Sequence, residues 1–238
     1  MSQSNNGSSH VGNHLLDALP RKSYRRLLPS LEPVTLALED IVATPGTPAE
    51  FVYFPTTAVF SMLCVMERGA MVEIGMVGKE GMTGMATCLG VDISSALTIV
   101  QVAGDALRIS APSLKREFDR GGALHDLLLR YVYALIAQIS QSVGCNTHHL
   151  LEGRLSRWLL IVRDRVPSDT LVLQHEFLSQ MLGTGRSAVT IAAGGLRAAG
   201  LIRYARGKIT ILDREGLEAT ACECYGVVRA AFERAHLA

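Results

Sequence analysis

The sequence predicts an α+β chain in three parts: an N-terminal double-stranded β-roll, a long helix, and a C-terminal pair of short helices followed by a two-stranded wing. Three observations predict it. Between Val34 and Ile109 short apolar runs alternate with Gly and Pro turns, which suits many short strands. From Ser113 to Val166 there is no proline and the periodicity is helical, and after Pro167 two short helical stretches meet at Gly183 to Gly185.

Taken in order, residues 1–13 are rich in Ser, Asn and Gly and lack the basic and apolar regions of a secretory signal, so a disordered tail is expected there. Leu15, Leu16, Leu19, Leu27 and Leu28 have helical spacing broken at Pro20 and Pro29, which predicts one or two short helices. The runs Val34–Leu38, Phe51–Phe54, Ala58–Leu63 and Met71–Val77 are separated by Pro45-Gly46, Arg68-Gly69 and Gly78 to Gly81. They predict the strands of the roll, over residues 14–112.

The long helix and its hinge occupy 113–149. Leu128, Val132, Leu135 and Ile139 follow the 4-3-4 spacing of a coiled-coil seam, and Leu127, Tyr131 and Ala134 form a neighbouring stripe. A helix apolar on two sides needs two partners. The roll of its own chain and the same helix of a second copy supply them; the alternative is a helix enclosed between two parts of one chain. The pattern weakens between Gly144 and Leu151, which marks a hinge.

In the last part, 150–238, Leu171–Leu173 reads as a strand and Gln174–Leu182 as a helix with Phe177, Leu178 and Met181 on one face. Arg186–Ala199 carries Val189, Ala192, Ala193 and Leu196 on one stripe. Two helices across a glycine turn, then two strands around Ala205–Lys208, make a winged helix-turn-helix. The face opposite the stripe presents Arg186, Ser187, Thr190, Gly194 and Arg197, and the wing tip Arg206 and Lys208. Arginine can donate two hydrogen bonds to guanine, and Ser or Thr can bond bases or phosphates.

Charge agrees with that placement. The 238 residues are 48% hydrophobic and 19% charged, which is the composition of a folded, soluble chain. Residues 1–150 hold 11 Lys/Arg against 13 Asp/Glu, and residues 151–238 hold 12 against 9, so the halves differ in sign. No carboxylate falls between Glu176 and Asp213, where Arg186, Arg197, Arg203, Arg206 and Lys208 lie, and phosphate is the partner such a patch suits.

Other chemistries are excluded or weak. Five scattered cysteines without a Cys-x-x-Cys pair fit a reducing cytoplasm. The apolar stretch Leu127–Ile139, interrupted by Arg130 and Gln138, falls short of the roughly 20 residues that span a bilayer. Cys145, His148 and His149, with Cys222 and Cys224 as further ligands, match no standard zinc spacing; the reading is a polar hinge without metal. Nothing in the sequence marks these thiols as redox sensors. Cupin-like rolls that act as metal enzymes need clustered histidines, and none occurs between Val34 and Ile109; no nucleophile motif replaces them, so no enzyme is expected.

The order of roll, long helix and winged helix, with Val52–Pro55, Val77–Gly84, Glu152–Leu160 and the helix-turn-helix carrying Gly183, Arg186, Val189 and Leu196, resembles the Crp/Fnr family of bacterial transcription regulators over about residues 14–225. The resemblance implies an effector-sensing roll, a dimerisation helix and a DNA-binding winged helix. It also implies a cytoplasmic homodimer on a palindromic double-stranded site, with RNA polymerase and a small-molecule effector as further partners.

Members that bind cyclic nucleotide use a Gly-Glu-Leu-Gly turn and an Arg-Ser pair. The matching positions here are Gly81 to Gly84 and Ser94-Ser95, so both charged contacts are missing. Gly81, Met82, Thr83, Ser94 and Ser95 thus mark an effector position that does not hold cyclic phosphate in the usual way, because a buried phosphate needs a countercharge. The tail has no cysteine for the iron–sulfur cluster of oxygen sensors, and no cofactor is expected. Of the charged residues in the best-known Arg-Glu-Thr-Val-x-Arg recognition helix, only Arg186 remains. Two alternatives stand beside this reading: a nucleotide held through Ser94, Ser95 and backbone donors, and an interaction module whose winged helix contacts protein.

Overall fold

Asn13 is the first anchor of the chain. In the computed structural model, which describes residues 11–173 and 175–237, its side chain accepts from the Leu16 N–H to cap helix α1 (His14–Asp17). The same side chain donates to the Pro55 and Gly81 carbonyls, each at 2.9 Å. The disordered tail expected over 1–13 therefore does not reach this point. Residues 11–13 belong to the fold, and 1–10 lie outside the described residues. Pro20 then opens helix α2 (Arg21–Leu27).

Seven strands build the roll: β1 (Glu32–Leu36), β2 (Ile41–Ala43), β3 (Phe51–Pro55), β4 (Val59–Val65), β5 (Met71–Val77), β6 (Leu97–Val102) and β7 (Gly104–Ser110). They pair antiparallel as two sheets, ordered β1-β7-β3 and β2-β6-β4-β5. Leu36, Tyr53, Phe60, Val77, Val100 and Ala106 form the apolar core between them. Strands β3 and β4 are buried on both faces: Tyr53 and Phe60 fill the roll, while Val52, Phe54, Val59 and Leu63 pack into the cores shared with the helices.

The helical region is split in three. Ser110 caps α3 (Ala111–Asp119), Gly121 and Gly122 break the chain, and α4 (Ala123–His148) and α5 (Leu151–Arg163) follow. The C-terminal part contains β8 (Thr170–Val172), α6 (His175–Met181), α7 (Arg186–Ala198), β9 (Ile202–Ala205), β10 (Lys208–Ile211), α8 (Arg214–Thr220) and α9 (Cys224–Arg234). Its sheet has the order β8-β10-β9.

Helix α4 lies along the roll at β5, an outer strand of its sheet. The Gln138 side-chain amide accepts from the Met76 N–H and donates to its C=O, both at 3.1 Å, so a side chain satisfies backbone groups that no further strand pairs. Tyr131 donates to the Met82 carbonyl at 2.6 Å. The expected coiled-coil seam is corrected by this docking. Leu128, Val132 and Leu135 are buried within their own chain, and Ile139 packs half-covered beside them against Gly75. The apolar residues left exposed on α4 are Leu129, Tyr133, Ile136 and Val143.

Two cores tie the parts together. One runs without a break from Val59, Leu63 and Met76 of the roll through Trp158 of α5 to Leu178, Val189 and Leu196 of the helix pair. The other joins Leu15, Leu27, Leu114 and Leu128 to Val228, Phe232 and Leu237. Helix α9 therefore does not stay with the winged helix, as expected from its place in the sequence, but returns to the roll and α4. Its apolar face finds there the large surface that three short strands could not provide.

Candidate nucleic-acid interface

Val189, Ala192, Ala193 and Leu196 bury the stripe of α7 against the core, so rotation about the helix axis is fixed and the opposite face meets solvent. On that face Arg186, Ser187, Thr190 and Arg197 are exposed, and so is Ile191, at 76%. Ile191 is an apolar residue off the buried stripe, a signal present in the sequence itself. An exposed aliphatic side chain on this face suits a thymine methyl group.

Thr190 is already engaged. Its hydroxyl donates to the Arg186 carbonyl at 3.0 Å and lies 2.9 Å from His175 Nδ1. With the Thr190 proton committed, His175 must donate from Nδ1. The ring stacks on Tyr204 of β9 with centroids 4.3 Å apart. Burial, then the Arg186 charge, push the His175 pKa below the ordinary imidazole value, so the ring is neutral at pH 7. His175 and Tyr204 thus brace α7 on the wing.

The wing is a two-residue hairpin, with Ala205 opposite Lys208. Arg206 and Gly207 both have positive φ, 51° and 73°, which is the type I′ turn that matches strand twist. Arg206 and Lys208 are exposed at its tip.

Four of the five effector-position residues are packed or half-packed within the fold. Gly81, Met82 and Thr83 are buried, Ser94 is half-buried and Ser95 exposed. Thr83 Oγ1 accepts from the Tyr53 N–H and Ser94 Oγ donates to the Ala96 carbonyl. A Cβ on Gly81 would come within 2.6 Å of the Tyr131 ring. Clefts of about 220–610 Å³ on the described surface are lined by other residues.

The Val77–Gly84 segment instead joins the roll to the helices. Arg165, just beyond α5, pairs with Glu80 at 2.7 Å with both side chains nearly buried, and a Cβ on Gly78 would strike the Arg165 stem at 2.7 Å. Nearby, Trp158 Nε1 donates to Glu73 Oε1 at 2.9 Å and Ser61 Oγ to Glu73 Oε2 at 2.5 Å. Arg154 binds Asn146 Oδ1 at 2.8 Å and the Leu182 carbonyl, which links the hinge to the helix pair.

Burial raises the Glu73 carboxyl to about 7, against the hydrogen bonds of Ser61 and Trp158 and the Arg157 and Arg165 charges that lower it. The folded chain therefore holds the Glu73 proton more tightly than the unfolded chain does. Stability from this group is fully present below the ordinary carboxylate value and is lost as pH rises through about 7. A loss of about 3 kcal/mol between pH 4.5 and 8 is expected in urea titrations. Glu73→Gln should flatten it; an equal slope in the variant would assign the dependence elsewhere.

At the hinge the structure assembles what the spacing did not suggest. Cys145, His149, Cys222 and Cys224 lie together, and all five cysteines are free thiols. His148 is exposed and outside this group. Among the described residues no helix is long and apolar enough to cross a membrane.

The Crp-like helix-turn-helix domain family matches residues 153–220. The global nitrogen regulator of Synechocystis sp. is 27% identical over 204 residues, covering 79% of this chain and 89% of its own length. A transcriptional regulator of the Crp/Fnr family from Eubacterium rectale has the same fold, with a TM-score of 0.69 at 18% identity over 87% of this chain and 96% of that one. FixK2 from Bradyrhizobium japonicum gives 0.66 at 12% identity over 81% and 98%.

Proposed function

Since the chain is a Crp/Fnr-type transcription regulator with a helix-turn-helix DNA-binding domain, we propose that it works in the cytoplasm as a homodimer on palindromic DNA. It acts by binding and not by catalysis. The observation that carries this reading is the set of basic and hydroxyl side chains exposed on α7 and on the wing. Arg186, Ser187, Arg197, Arg206 and Lys208 are all exposed there, and no carboxylate lies between Glu176 and Asp213.

The second copy docks on α4. Leu129, Tyr133, Ile136 and Val143 repeat at intervals of four, three and seven, an exposed seam offset by one residue from the buried one. Two such helices side by side would set two recognition helices about 34–36 Å apart, one turn of DNA. A signal received by the roll reaches them through Glu73–Trp158 of α5 and Glu80–Arg165 just beyond it, polar links between the roll and this part of the chain. The packed turn at Gly81–Thr83 favours an effector other than cyclic nucleotide in the usual pose. RNA polymerase is the expected partner once DNA is bound.

Selection of the full-length protein against a randomised duplex library tests this reading. An enriched palindrome with half-sites one turn apart is expected; binding to protein partners with no duplex retained at low salt would refute it. Arg186→Ala should cost about 1–3 kcal/mol and relax one base per half-site. Arg206→Asn, which keeps the left-handed turn, should weaken all sequences alike and reduce the salt slope by about 1. Identical losses on every sequence in both variants would remove the role given to Arg186.

A further inference from the structure

We propose that Cys145, His149, Cys222 and Cys224 bind one zinc ion, which fastens helix α9 to the end of α4 at the hinge. The four ligand atoms lie within 4.8 Å of one another. Cys145 Sγ is 3.5 Å from Cys222 Sγ, and Cys224 Sγ is 3.4 Å from His149 Nδ1. In a tetrahedral zinc site, Zn–S bonds of about 2.3 Å and Zn–N bonds of about 2.0–2.1 Å put neighbouring ligand atoms about 3.5–3.8 Å apart. The apo arrangement is thus within a small adjustment of that geometry. An iron–sulfur cluster with its thiolates on different irons would need the sulfurs spread more widely.

Two further observations point the same way. His149 presents Nδ1 to the thiols while Nε2 lies 3.0 Å from the Glu223 carboxylate. That is the arrangement that fixes the tautomer of a metal-bound imidazole and raises its basicity. Gln141 Nε2 likewise donates to Cys224 Sγ at 3.0 Å. The second observation is charge. Arg154 and Arg157 are 8% and 6% exposed, their Nε atoms have no partner among the described residues, and both interact electrostatically with the cysteines. Buried cations are costly without countercharge. Three thiolates and one Zn²⁺ carry a net single negative charge beside them.

The binding step balances simply: three thiol protons go to solvent, the imidazole binds as the neutral ring, and no electron moves. Four protein ligands close the coordination shell, so the ion is structural. Its place matters because the ligands come from α4, the residue that ends it, and the α8–α9 junction, the segments that flank the winged helix.

The test is metal analysis of the full-length chain purified without metal-affinity resin, in reductant, after dialysis against a weak chelator. One zinc per chain is expected, and Co²⁺ replacement should give the visible bands of a tetrahedral thiolate site. Cys222→Ser and Cys224→Ser should lose the metal. Glu223→Gln, which touches only the far nitrogen of His149, should lower zinc affinity about 10- to 100-fold in chelator competition. His149→Cys should keep zinc and alter the cobalt spectrum, so these two variants decide the matter if the serine variants misfold. The proposal is overturned by a chain that takes up neither zinc nor cobalt, by iron in place of zinc, by zinc content unchanged in Cys222→Ser and Glu223→Gln, or by recovery of an intact Cys145–Cys222 disulfide.

Discussion

Trp158→Ala should lower the stability of the whole chain by about 3–5 kcal/mol, measured as the urea midpoint by circular dichroism. That is a large part of the roughly 5–15 kcal/mol that holds a typical protein folded. The indole is 1% exposed, sits edge-on to Phe177 and carries the Nε1 donor to Glu73. Its loss opens a cavity in the core shared by roll and helix pair and leaves the buried carboxyl with Ser61 as its hydrogen-bonding neighbour. Trp158→Phe, which fills most of the space, should cost about 1–3 kcal/mol through the lost donor. Because the core is continuous, one transition is expected. Two separated transitions would show that roll and winged helix hold independent cores. Trp158 is the chain's one tryptophan, so its fluorescence in the parent protein reads this junction directly.

With α4 as the seam of the proposed homodimer, Ile136→Glu should leave the chain a monomer. In a symmetric helix pair a residue near the axis faces its own mate, so the substitution buries two like charges without a counterion. A penalty of several kcal/mol per dimer corresponds to about a thousandfold weaker association. Sedimentation should show monomer at micromolar concentration, and binding to a two-half-site duplex should collapse to that of a single half-site. Ile136 is 49% exposed and outside the buried clusters, so the monomer should stay folded, with a melting temperature lowered only by the lost association. A variant that still sediments as a dimer would place the interface elsewhere. Val132→Glu should instead unfold the chain, since Val132 faces inward.

The contrast between Ile136 and Val132 shows where the sequence is silent. Periodicity locates α4 and says that it is apolar on two sides, but Leu128, Val132 and Leu135 are chemically no different from Leu129, Ile136 and Val143. Only the docking through Gln138 and Tyr131 decides which stripe faces the roll. The helix-turn-helix was legible because its glycine turn, apolar stripe and basic face lie within some thirty residues and specify one another. The engagement of Thr190 leaves no local trace, because its partner His175 is fifteen positions away on another helix. Glu73 gave no signal, since its partner Trp158 is 85 residues distant. Cys145, His149, Cys222 and Cys224 were nameable as a set but not as a site: 77 residues separate Cys145 from Cys222, and no local spacing records a meeting made by the return of α9.

That return has a topological consequence. The winged helix leaves the body after His149 and rejoins it before Glu223, two residues whose side chains lie 3.0 Å apart. In chain order it is therefore an insertion into a discontinuous host made of the roll, α4 and α9. An insertion whose two ends meet has a single covalent junction with its host, beside the core it shares with the roll. A displacement of the reading head that slides the shared core between Met76 and Trp158 is still tethered there, and a ligand that stiffens the junction limits its arc without touching either DNA or effector.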